Sequence, residues 1–186
     1  MRDIIINEIL IPSLETLYKI DYKNIKFEAS ERNICARLAH HLENIMREYD
    51  KQNSKALFDG YFADVEYNRM ADGSQKQYEN RLHRPQRMIS DLLIQSRGVR
   101  RNLLAIEMKR NQNYDKRRED RERLMAIVSP QPADSELHCV YNTLVGAFII
   151  YSEKNVTIEI YENNNGEGEK TEDLFFEYDF HELRRI

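Results

Sequence analysis

The apolar pattern predicts one α/β domain, a central mixed β-sheet flanked by helices on both faces. Three observations carry this. Ile34, Leu38, Leu42, Ile45 and Met46 recur at three- and four-residue spacing, the stripe of an amphipathic helix over 30–49. Two short apolar runs, Leu92–Ile94 and Leu103–Ile106, flank a polar segment holding Gly98, which is the pattern of an antiparallel hairpin. A charged helical stretch over 114–128 then precedes a near-continuous apolar run over 141–151, as expected of a crossover helix feeding a buried strand.

In chain order, residues 3–20 read as helical, broken or kinked at Pro12, with Ser13 free to cap a second piece. Residues 22–27 read as a connector. The helix over 30–49 carries Glu31 in its first turn, pointing toward the core side, and its adjacent His40 and His41 read as surface or boundary residues. Residues 56–68 alternate as a strand, with Tyr61, Ala63, Val65 and Tyr67 on one face and Phe62, Asp64 and Glu66 on the other. This strand should lie beside the one that follows Asp91. The polar stretch 70–84 reads as a long loop, and Val156–Tyr161 alternates as a further strand before a turn over 163–170. The domain organisation expected is a single unit over 1–186, comprising an N-terminal helical extension (1–27), a core (28–161) and an acidic C-terminal tail (162–186).

With 186 residues, 41% hydrophobic and 32% charged, the chain suits one soluble globular domain. No apolar run approaches a membrane span, and the expected location is cytoplasmic. Cys35 and Cys139 lack CxxC or histidine spacing, so neither a disulfide framework nor a zinc site is expected, and Cys35 reads as a small buried hydrophobe. The net charge of −4 is unevenly spread, because residues 81–123 hold 13 Lys and Arg against 6 Asp and Glu, leaving 15 against 26 elsewhere. A basic surface of this kind is what a polyanion would need, although for residues 116–123 alone a solvated helix face is the simpler reading.

The hairpin places the chemistry. If Ser96 lies opposite Asn102, paired positions sum to 198, so Leu92 faces Ile106 and Asp91 faces Glu107. Leu92, Ile94, Leu104, Ile106 and Met108 then share one apolar face, and Asp91, Leu93, Leu103, Ala105, Glu107 and Lys109 share the other. Opposed carboxylates repel unless a proton or a cation sits between them, and Lys109 lies roughly 6.6 Å further along the same face, within reach of a metal-held water or phosphate. The guanidinium groups of Arg97, Arg100 and Arg101 at the hairpin tip are candidates for the nucleic-acid backbone.

Ser90-Asp91, followed by Glu107-Met108-Lys109, resembles the signature of the PD-(D/E)XK nuclease superfamily, whose fold is restriction-endonuclease-like. Arg97-Gly98, Asn102-Leu103-Leu104 and the upstream Asp64-Val65-Glu66-Tyr67-Asn68-Arg69 are similar to one bacterial branch of it, and the likeness spans about residues 28–150. Ser90 stands where that family usually has proline. The resemblance implies a restriction-endonuclease-like core and a glutamate on the first core helix beside the metal site, which is Glu31 here. It also implies the backbone carbonyl of Met108 as a further metal ligand, and a phosphate-contacting role for Arg123, because Arg123-Leu124 is similar to a Lys-Leu pair in the family.

The expectation is therefore a Mg²⁺- or Mn²⁺-dependent nuclease acting on DNA. Asp91 and Glu107 would hold the metal with Met108 and Glu31, and Lys109 would position water or stabilise charge on the phosphate. A homodimer would suit cleavage of both strands. The rival is a non-catalytic module that keeps the fold for nucleic-acid or protein binding.

Overall fold

The computed structural model describes residues 1–66, 77–79, 85–87, 89–96, 101–130, 142–179 and 182–186. The chain opens in a π-wound turn, Ile4–Leu10, that runs directly into helix α1, Ile11–Lys26. Pro12 does not break it. It stands in the first turn of α1, directly after the π-wound residues, and the Ser13 hydroxyl donates back to the Ile9 carbonyl (2.6 Å) rather than capping a new helix. The expected connector at 22–27 is instead the last turn and a half of α1, with Ile25 buried.

Helix α2, Glu31–Gln52, starts where Ser30 accepts a hydrogen bond from the Asn33 N–H through its hydroxyl (3.3 Å). Its stripe of Ile34, Leu38, Leu42 and Met46 is fully buried, each side chain contributing about 1.5–3 kcal/mol of burial. His41 is buried too. It bonds the Asp21 carboxylate (2.7 Å), to which Arg37 also donates (2.9 Å), so the expectation of a boundary residue fails because α1 supplies an acid opposite it.

Strand β1 spans only Tyr61–Val65, with β2 at Gln77–Glu79, β3 at Pro85–Arg87 and β4 at Leu92–Ser96. The strand expected from 56 starts late because the Asp50 carboxylate takes the N–H groups of Leu57 and Phe58 (3.0 and 2.8 Å), folding that stretch onto the end of α2. Within the long loop expected over 70–84, β2 pairs with β3 as a separate ribbon, and the remainder lies outside the described residues.

The remaining elements are β5 (Leu104–Arg110), α3 (Arg117–Val128), β6 (Val145–Tyr151), β7 (Asn155–Asn164), β8 (Glu167–Asp179) and β9 (Glu182–Arg185). Seven strands form one mixed sheet in the order β1-β4-β5-β6-β7-β8-β9, antiparallel throughout except for the β5–β6 pair that α3 joins. The segment expected as an acidic tail is structural. Leu174 and Phe176 of β8 alternate inward while Asp173, Glu177 and Asp179 stay at the surface, so these acids mark one face of a strand.

One sheet face packs on α1 and α2, and the residues expected as an N-terminal extension (Ile5, Ile6, Ile9, Leu10, Leu14, Leu17) belong to this main core. The other face carries α3 over a smaller cluster of Leu93, Ala105, Leu124, Ile127, Val128, Phe148 and Tyr161. Gly168 lets β8 run against α3, because a Cβ there would fall 1.9 Å from the Met125 carbonyl oxygen.

Candidate active site at the end of β5

The predicted register holds, with Leu92 opposite Ile106, Leu93 opposite Ala105 and Ile94 opposite Leu104. The faces divide as expected with one exception. Leu103 lies just before β5 and joins the main core rather than the α3 side. Asp91 lies one step beyond the last paired residues of β4, beside Met108 and within the field of Glu107.

Asp91 does not simply oppose Glu107. Its Oδ2 accepts the Met108 N–H at 2.7 Å, and its own carbonyl accepts the Glu66 N–H at 3.1 Å, so backbone on both sides fixes it. Burial raises its pKa above the ordinary carboxylate range, against the lowering pull of the Met108 N–H, Lys109 and Arg123. The Glu107 side chain is only 1% exposed, and its Oε1 lies 2.5 Å from Nη1 of Arg123. Burial pushes Glu107 well above its usual range despite that guanidinium.

Lys109 stands between two helices, its Nζ 3.4 Å from Oε2 of Glu31 and 3.6 Å from Oδ2 of Asp120. Burial alone would lower its pKa, but Asp91, Asp120, Glu31 and Glu107 outweigh it and keep the ammonium charged. Glu31 does more than complement the α2 dipole. Its Oε1 accepts the Arg110 N–H and an Asn113 side-chain N–H, both at 3.1 Å, so it ties the turn after β5 to the start of α2.

Sequence reasoning missed Asp120. It lies in the first turn of α3, is buried, contacts Arg123 at 3.3 Å through Oδ1, and has no hydrogen-bond partner on Oδ2. A signal existed, since Asp120, Leu124, Ile127 and Val128 occupy one helical stripe, all buried. The dense charge of 116–123 hid it.

Two expectations about arginines change. Arg123 does not face outward toward a phosphate, because Glu107, Asp120 and the Ile89 carbonyl (3.1 Å) hold it inward, with 18% of its side chain exposed. Arg97 and Arg100 lie outside the described residues. Arg101 is exposed, donating through Nε to the Asn142 carbonyl while its own carbonyl accepts the Tyr61 hydroxyl at 3.1 Å. It is at the far end of β5 from Glu107, roughly 20 Å away along the strand, so Arg101 is not beside the carboxylates. Cys35 is a buried free thiol against the Met108 sulfur (3.6 Å), as expected, and Cys139 lies outside the described residues.

The donors suit a hard divalent cation in kind, being two carboxylates and a nearby backbone carbonyl. Among the described residues, no three or more His, Cys, Asp or Glu side chains are gathered as a metal-holding group. Mg²⁺ is commonly held through one or two carboxylates with several waters, so a pair of carboxylates is not too few. Among the described residues, no helix is long and apolar enough to cross a membrane. In comparisons with family models, curated proteins and solved structures, nothing matches this chain.

Proposed function

We propose that the chain is a metal-dependent nuclease that hydrolyses phosphodiester bonds in DNA. The observation that carries this reading is the placement of Lys109 with Asp91 and Glu107 at the end of β5, the ammonium kept charged by the carboxylates around it. In this reading the restriction-endonuclease-like core consists of α2, β1, β4, β5, α3 and β6, which hold the proposed groups, with Asp91 immediately before β4. Asp91, Glu107 and the Met108 carbonyl are the ligands for Mg²⁺ or Mn²⁺, and the metal would supply a polarised phosphate oxygen and an acidified water. Glu31, bonded to the Arg110 N–H, Asn113 and Lys109, acts by orienting Lys109 more than as a direct ligand. Lys109 directs its Nζ to the phosphate and stabilises charge there.

Nicking of supercoiled plasmid with Mg²⁺ or Mn²⁺ tests this. Lys109→Ala is expected to lose about 100-fold or more in rate while keeping its fold. A wild-type protein that leaves plasmid intact with either metal overturns the reading. The second reading, a binding module that keeps the fold, draws on one observation: the Glu107 carboxylate is already paired with Arg123.

A further inference from the structure

Glu107 is the most deeply buried of the candidate carboxylate ligands, and an isolated carboxylate in that position would be costly. Arg123 supplies the opposite charge, with Nη1 2.5 Å from Oε1. Its guanidinium has other acceptors besides, the Ile89 carbonyl at 3.1 Å and Asp120 Oδ1 at 3.3 Å, and it hangs from α3 while Glu107 belongs to β5. Arg123 can therefore release Glu107 without losing every anionic partner, because Asp120 is left to receive it.

We propose that Arg123 is a built-in cation for Glu107, exchanged for a divalent metal when one binds. The proposal rests on the nuclease reading and adds a regulated step to it. With the guanidinium on Oε1 at 2.5 Å, a Mg²⁺ held by the same carboxylate would stand within a few ångströms of it, and two cations that close repel strongly in a buried site, so the closed pair weakens metal binding. Asp120 is then a positioning residue that parks the released guanidinium. By linkage, whatever Arg123 takes from the metal's affinity, the metal takes from the Arg123–Glu107 pair.

Calorimetric titration of Mn²⁺ into wild type and Arg123→Gln is the first test. Removing the competitor should tighten binding by about tenfold, within the usual range of coupling between two binding events. Equal or weaker binding in the variant, with wild type still binding, overturns the exchange and leaves the nuclease reading standing. Failure of both proteins to bind overturns both.

Arg123→Gln leaves Glu107 buried without its cation, so a second measurement uses the wild-type protein. In a spectrum of ¹⁵N-labelled arginine side chains, the resonance absent from Arg123→Lys should move as Mg²⁺ is added, with the midpoint found by calorimetry. A resonance unmoved at metal saturation overturns the proposal.

Discussion

Helix α3 carries two buried charge clusters, one at Arg121 and one at Arg123, and they are built in opposite ways. Arg121 donates through Nε and Nη2 to the two oxygens of Glu159 (2.7 and 2.6 Å), lies over the Phe148 ring (4.8 Å), and shares Glu159 with the Tyr161 hydroxyl (2.7 Å). Burial would raise the Glu159 carboxyl, but the bonds from Arg121 and Tyr161 win and hold it below the usual range. Around Arg123 and Lys109, four carboxylates (Glu31, Asp91, Glu107, Asp120) meet two cations, and Asp120 Oδ2 has no hydrogen bond. There burial wins, and Asp91, Glu107 and Asp120 all sit above the carboxylate range. A matched cluster holds helix to sheet. A cluster with surplus negative charge instead leaves its buried carboxylates at raised pKa.

The largest effect should come from unmatching the matched cluster. Arg121→Ala strands Glu159 in a mostly buried position, and urea denaturation should record a loss of about 3 kcal/mol. The same measurement on Glu107→Gln should find a change under about 1 kcal/mol, because a buried charge is removed from a cluster that already has too many of its sign, and Arg123 keeps Asp120. Comparable losses in the two variants would erase the distinction between the clusters. The smallest effect is in pH dependence. Glu159 titrates below its unfolded value, so its stabilisation is present above about pH 4.3 and lost as pH falls through the folded pKa. Stability should accordingly fall less steeply between about pH 5 and pH 3 in Glu159→Gln than in wild type, as read from thermal melts.

The clusters also mark where the sequence was readable. The hairpin register followed from alternation alone, because a one-residue slip would have sent Leu92, Ile94, Leu104 and Ile106 to the wrong face. The stripe of α2 and the parallel β6 were equally plain, since apolar burial is written at fixed periods. Asp120, Arg121 and Arg123 were not, because a buried ion pair uses the same residue types as a solvated helix face and only the partner strand separates the two. Glu159 supplies that partner from β7, 38 residues beyond Arg121. Strand β8 escaped for a related reason. Its acids dominated the composition, and the alternation of Leu174, Phe176 and Tyr178 beneath them was the signal that counted.

The joining of the chain's two ends has a kinetic consequence. Arg2 bonds Glu162 (2.8 Å) and Glu172 (2.7 Å), the Tyr18 hydroxyl reaches the Ser152 carbonyl (2.6 Å), and the rings of Tyr18 and Tyr22 pack on Tyr178. These contacts span more than 130 residues, so the intervening chain must be drawn into a closed loop before they form, and helix α1, at 16 residues, is marginal on its own until they do. Contacts of such long separation predict slow folding, with a late meeting of the distant segments expected. Until it happens, Ile5, Ile6 and Ile9 lack much of their final cover, which makes the interval before closure the one in which the chain is most exposed to aggregation.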